Sequence, residues 1–331
     1  MKMKQSIIRI AISALLAVAL VVGAVTFAPT RTSAGSLSTA IIAMFPKNVG
    51  EFSYADLKAA RKFSWFSQLY GQVLPPRFRQ FEQFLGSSGV DPNSQVEEIA
   101  WANITSGKGD DVVGIALGQF DPSTVESKLK AQKVPTVEVQ GYHLYAFGSG
   151  AGAGDILFVF FDSNTAAFGN RSVLEHLINV RMGGEETLLT GKLFPLIAEA
   201  NGNGIIWAVL DQDHTHLAMQ QLIPQAGQFP QAADIISRLH AMIINIDADS
   251  GVDAHFQAVC NSVDDANLLS AALQAGLMVR RYQEAQGNPS LAKALDQVRV
   301  TPTGDRLKID APVSQEELLS LIQTKAFASP M

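Results

Sequence analysis

The segment that most constrains this chain is an uninterrupted low-polarity run from Ile10 to Ala28, preceded by Lys2, Lys4 and Arg9 and followed by Pro29. A positive start, an apolar stretch and then the small residues Thr32, Ser33, Ala34 and Gly35 are the marks of an export segment. As a helix the run would reach roughly 28 Å at about 1.5 Å per residue, enough to cross the hydrocarbon core of a bilayer. An uncleaved anchor is therefore one reading. The other is a cleaved signal peptide, because Thr32 and Ala34 occupy the −3 and −1 positions of a cleavage site before Gly35. Both readings put residues 1–34 apart from the folded body and the body outside the cytoplasm. The single cysteine, Cys260, lies far from this segment, which excludes a lipid-modified cysteine as the anchor.

Removing residues 1–34 takes away Lys2, Lys4, Arg9 and Arg31 and no acid, leaving 21 basic against 31 acidic side chains, a formal charge of −10. An acidic, exported body argues against nucleic acid as a partner. With 47% hydrophobic and 17% charged residues, the chain has the composition of a globular protein and can bury a large core. No second stretch has the roughly 18 consecutive apolar residues of another span.

Periodicity divides the body into two parts at the polar connection Met182–Thr187. The boundaries expected are 37–186 for a first α+β domain and 187–325 for a second. In the first, a strand at Phe52–Ala55 leads through Asp56 into a helix striped by Leu57, Ala60, Phe63, Phe66, Leu69, Tyr70 and Val73. A second helix carries Phe78, Phe81, Phe84 and Leu85. Strands at Val96–Thr105 and Val112–Phe120 form a hairpin, Asp121 opens a helix, and strands at Val137–Phe147 and Ile156–Phe161 and a helix at Ser172–Val180 follow. The second part repeats this order. Its strands lie at Gly204–Leu210, His240–Asp247, Val252–Cys260, Val298–Thr301 and Arg306–Asp310, and its helices over Thr215–Leu222, Gln231–Arg238, Asp264–Leu277, Ser290–Asp296 and Ser314–Thr324. The fold class expected is α+β: two tandem ferredoxin-like (βαββαβ) units, each an antiparallel sheet covered by helices on one face.

The motif Phe45-Pro46-Lys47-Asn48-Val49-Gly50 leading into Phe52–Leu57, then Gly89-Val90-Asp91-Pro92 and Gly118-Gln119-Phe120-Asp121, resembles a group of exported bacterial proteins classed as a domain of unknown function. The resemblance covers residues 40–180 and departs from the family's usual Leu-Pro at Phe45-Pro46. It implies an envelope location and a tandem of helix-plus-sheet units, and transfers no catalytic residue.

Two clusters invite a functional reading. Asp211, Asp213, His214 and His216 place two carboxylates and two imidazoles within six residues, a donor set suited to a divalent metal and hence to a metal-dependent hydrolase. The plainer reading is a helix cap with exposed histidines. Separately, ten of the 26 aromatic residues fall between Phe45 and Phe84, beside Lys47, Lys58, Arg61, Lys62, Arg77 and Arg79. Such a mixture suits a partner or lipid surface centred on Trp65, or a hydrophobic-ligand carrier built on Phe63–Phe84. Set against that is an aromatic core with wetted basic side chains.

The sequence carries no nucleophile elbow, zinc-protease motif or phosphate loop, and no cofactor is implied. The expectation is a non-catalytic extracytoplasmic binding or structural module. Its expected partners are the membrane, through residues 10–28 if these are retained, and an envelope protein or lipid.

Overall fold

The computed structural model describes residues 35–63, 66, 76–106, 109–148, 152, 155–222, 234, 236–248, 251–287 and 289–314. Among these no helix is long and apolar enough to cross a membrane, and the run Ile10–Ala28 lies outside them. The described chain falls into two compact units, residues 37–60 with 76–195 and residues 196–314, with residues 35–36, 61–63 and 66 grouped with the second.

In the first unit Ser38 caps a one-turn helix, α1 (Thr39–Ile42), and strand β1 (Val49–Asp56) follows. Helices α2 (Leu57–Ala60), α3 (Pro76–Ser88) and α4 (Pro92–Gln95) precede the hairpin of β2 (Val96–Ser106) and β3 (Gly109–Gly118). Next come α5 (Pro122–Ala131), β4 (Thr136–Val139), β5 (Tyr142–Phe147), β6 (Ile156–Phe160), β7 (Thr165–Gly169) and α6 (Arg171–Arg181). The strands run β1-β2-β3-β7-β6-β5-β4, every neighbour antiparallel. A short 3-10 turn at Leu188–Thr190 and α7 (Phe194–Ala200) lead out.

The unit boundary falls beyond Thr187 for a local reason. Leu188 N donates to Phe45 O at 2.8 Å and Lys47 N to Glu186 O at 3.0 Å, so the connection is stitched to the start of the first unit. The glycine turn at Gly183-Gly184 is thus internal.

The second unit consists of β8 (Ile206–Leu210), α8 (Gln212–Leu222), the hairpin β9 (Leu239–Ala248) and β10 (Gly251–Cys260), α9 (Val263–Gly287), α10 (Pro289–Leu295), β11 (Arg299–Thr303) and β12 (Arg306–Ser314). Its order is β8-β9-β10-β12-β11, again antiparallel throughout. The helices expected over Gln231–Arg238 and Ser314–Thr324 fall largely outside the described residues.

The two units share a plan. A strand ends in an aspartate that caps the next helix: Ala59 N donates to Asp56 Oδ1 at 2.7 Å, and His214 N to Asp211 Oδ1 at 2.9 Å. A hairpin follows, then a second capped helix. Thr124 N donates to Asp121 Oδ1 at 3.1 Å, and Asp265 N to Ser262 Oγ at 3.1 Å. The chain then returns from the far edge of the sheet, through four strands in the first unit and two in the second.

Two expectations need correcting. In a ferredoxin-like unit a third strand separates the two strands joined through a helix, whereas β1 pairs directly with β2 here. Nor do the helices keep to one face. Leu157 to Phe160 of β6 are all buried, which requires cover on both sides. Phe81, Phe84 and Leu85 of α3 and Val125 and Leu129 of α5 cover Ala116, Tyr145, Phe158 and Phe160. Helix α6 packs on β3, β6 and β7, burying Val173, Leu174, Leu177 and Ile178. In the second unit Met219 of α8 and Leu269 and Leu273 of α9 cover Leu239, Ala258 and Leu307. The opposite face meets the end of α7, where Asn245 Nδ2 donates to Ala200 O at 3.1 Å.

The last strand in each order is short or blunted, since β4 has four residues and β11 carries Pro302, which lacks a donor for a further strand.

The cap of α5 makes the fold sensitive to acid. Hydrogen bonds from Thr124 and then Ser123 hold the Asp121 carboxyl down at about 2. A depressed carboxyl gives its full stabilisation above the ordinary value near 3.9 and loses it as pH falls through the folded value. An NMR titration of Asp121 is expected to show a midpoint near the lower value. Asp121→Asn should flatten the loss of stability on acidification from about pH 4 to about pH 2.

Candidate functional site

Helical geometry decides what the Asp211–His216 cluster does. Residues two apart on an α-helix point to nearly opposite sides, so α8 separates His214 from His216. His214 is buried, and its Nδ1 lies 2.8 Å from Asp211 Oδ1, the same oxygen that accepts the His214 backbone amide. His216 Nε2 instead donates to Leu239 O at 3.1 Å. Asp213 is exposed in the first turn of α8. Among the described residues no group of three His, Cys, Asp or Glu side chains is placed to hold a metal ion. The arrangement therefore works as a cap and as a tie between α8 and β9. Asp211→Ala is expected to cost about 1 kcal/mol in urea unfolding and Asp211→Asn distinctly less, because the amide oxygen still accepts. Dialysis against a chelator should leave the wild-type midpoint unmoved.

Of the described aromatics in the Phe45–Phe84 stretch, Phe45, Phe52, Tyr54 and Phe81 are buried and Phe63, Phe66 and Phe84 half-buried. Phe45, Phe52 and Tyr54 are wholly buried, and the rings of Phe45 and Phe52 meet edge to face at 4.9 Å. Phe81 packs among Phe84, Phe147, Phe158 and Phe168, with centroids 5.8 to 6.5 Å away. Of the basic residues, Lys58 pairs with Glu97 at 2.9 Å, Arg61 is half-buried and Lys62 exposed. Arg77 and Arg79 lie on α3, their side chains outside the described residues, and Trp65 lies outside them altogether. Phe45, Phe52, Tyr54 and Phe81 are thus core residues, and the rest of the expected surface lies largely outside the described residues.

Polar groups that sequence alone did not single out lie on β1 and β2. Asp56 stands opposite Glu98, and Tyr54 Oη donates to Glu98 Oε2 at 3.0 Å. Burial, reinforced by the charge of Glu98, pushes the Tyr54 phenol far above its ordinary range. Burial also raises the Glu98 carboxyl, against the opposing pull of the Tyr54 hydroxyl. On the other face Glu51 is buried opposite Asn103, accepting from Ser53 Oγ at 3.0 Å and from Asn103 Nδ2. Donors reaching one carboxylate from two strands fix their register. An acidic residue in an alternating strand reads as a wetted position, so nothing in the sequence marks this one as internal.

The feature most suited to contact with another molecule is the outer side of α9. Its inner side buries Ala266, Leu269 and Ser270 and packs Leu273 on the sheet. Its outer side exposes Leu268 at 45%, Met278 at 66%, Val279 at 58% and Tyr282 at 81%. From Ala266 to Val279 the helix carries no charged residue. A helix apolar on both sides has the composition of one covered all round. The helix expected from sequence, Asp264–Leu277, stops before the most exposed of these side chains.

The fold and this surface together define a mixed α+β protein built on a large antiparallel sheet, with helices on it and one apolar helix face turned outward. No family model matches the sequence, and no curated protein matches it either. Among solved structures, the chain is similar in fold to TP0453. Against its crystal form III the TM-score is 0.50 at 11% identity, covering 85% of this chain and 96% of that one. Against crystal form I the TM-score is 0.49 at 11% identity, covering 88% and 97%.

Proposed function

We propose that this protein is a non-catalytic binding or structural module of the bacterial cell envelope, delivered outside the cytoplasm by residues 1–34. The outer side of α9 serves as its contact surface. The observation that carries this reading is the exposed run of Leu268, Met278, Val279 and Tyr282 on a helix whose other side is already packed. Large apolar side chains gathered on one exposed face mark interaction surfaces, whereas single ones do not. The apolar run Ile10–Ala28 behind a positive start supports the location, as does the acidic body that follows it.

Location is tested by fractionating a Gram-negative host and measuring the intact mass of the protein. The wild type is expected outside the cytosol, either as soluble periplasmic protein beginning at Gly35 or as full-length protein in the inner membrane. Ala34→Arg separates these forms, since a charge at the −1 position blocks cleavage and leaves an anchor unaffected. Full-length wild type in the cytosol would overturn the proposal.

A further inference from the structure

The exposed residues of α9 follow a regular spacing. Leu268, Ala271, Ala275, Met278 and Tyr282 succeed one another at intervals of three, four, three and four, the seam of a left-handed helix pair. We propose that this seam pairs α9 with α9 of a second copy of the chain, antiparallel and centred on Ala275. The proposal rests on the reading of α9 as the contact surface and names what covers it.

Two properties of the helix favour its own copy as the occupant. The first is shape. A two-fold axis at Ala275 sets Met278 against Ala271 and Tyr282 against Leu268, so that larger residues meet smaller ones. The exposed Val279 then meets Ala272, and Ala275 allows close approach at the centre. The second is the helix dipole. Asp265, Arg280 and Arg281 are already paired with Arg238, Glu284 and Asp296 of the same chain and so leave the seam uncharged. Antiparallel pairing opposes the dipoles of the two helices, whereas parallel pairing aligns them. The seam covers about 21 Å of helix at about 1.5 Å per residue. Two copies bury on the order of 1,000 Å², the lower bound of a specific interface.

Single cysteines introduced into the full chain, oxidised mildly in the cells that make it, test this directly. Cys260 is buried and its thiol is pushed up to about 11 mainly by that burial, so it stays silent. Ala275→Cys is expected to give a disulfide-linked dimer, about tenfold more than Gln283→Cys, which lies off the seam. Ala271→Cys and Met278→Cys are each expected to remain monomeric alone and to cross-link when the two variants are made together. Dimers from all three variants alone would overturn the antiparallel pairing. Absence of any dimer at Ala275→Cys would overturn self-association altogether. If Tyr282 then cross-linked to a different protein, or to residues 315–325 of the same chain, the second copy would be excluded. A different protein there would leave α9 standing as the contact surface.

Discussion

Trp207→Ala is expected to lower the free energy of unfolding by about 3–5 kcal/mol, the range for removing a large aromatic side chain from a packed interior. Trp207 is wholly buried and sits in β8, where Trp207, Ala208, Val209 and Leu210 are all buried. It stands opposite Asn245, whose side chain holds the end of α7. The ladder from Ile206–Ile246 to Leu210–Met242 fixes the backbone on either side, so the cavity cannot close by moving the strand. Urea unfolding is expected to show a lower midpoint with an unchanged slope, and Trp207→Phe should recover more than half of the loss. A midpoint equal to the wild type would mean that the interior of the second unit is not built around this residue.

The second large effect is expected at Gly118, which closes β3 in the first unit. A Cβ there would lie 1.9 Å from the carbonyl oxygen of Gln95 and 2.9 Å from its carbon, a collision with backbone that no rotamer relieves. The position is also held by Gly118 N donating to Asn164 O at 3.0 Å and Asn164 Nδ2 donating to Gly118 O at 3.0 Å. Gly118→Ala must therefore displace the β2 start or the turn before β7. A cost of about 3 kcal/mol, the upper end for overpacking, is expected in urea unfolding. Gly276→Ala offers the contrast. A Cβ at Gly276 meets nothing within 4 Å, and alanine is the better helix former, so α9 should gain about 0.5–1 kcal/mol. Equal responses at the two glycines would contradict this packing.

Much of the element order is legible in the sequence because it is written in local signals. Asp121-Pro122 announces α5, the strand-like runs Val96–Thr105 and Val112–Phe120 announce the central hairpin, and the run Ser172–Val180 announces α6. The reading of Val137–Phe147 as one strand fails at Gln140-Gly141. There φ values of 49° and 83° turn the chain in two residues between β4 and β5, and Gln is an unusual first residue for such a turn. Strand β7 goes unread because Thr165-Ala166-Ala167-Phe168-Gly169 is short and built of small residues. Pairing of distant strands has no local signature. The order β3-β7 and β10-β12 comes from which strands return to the centre of each sheet, and hence the ferredoxin-like expectation misplaces them.

The candidate surfaces divide in the same way. A helix cap is legible as the plainer reading of this cluster, and the same four residues also read as a donor set until the helix separates His214 from His216. Aromatic density between Phe45 and Phe84 signals burial and binding alike, and only packing shows that Phe45, Phe52, Tyr54 and Phe81 are interior. The outer side of α9 escapes sequence reading because its inner stripe ends near Leu277, while Met278 and Tyr282 continue a different one.

A photoreactive side chain at position 282 in intact cells tests α9 as a contact surface most directly. The predicted result is a discrete adduct of higher mass on irradiation, absent when the same group replaces Gln257 on the opposite side of the sheet. An irradiated chain that stays at its own mass from position 282, with the protein folded and in place, would contradict it.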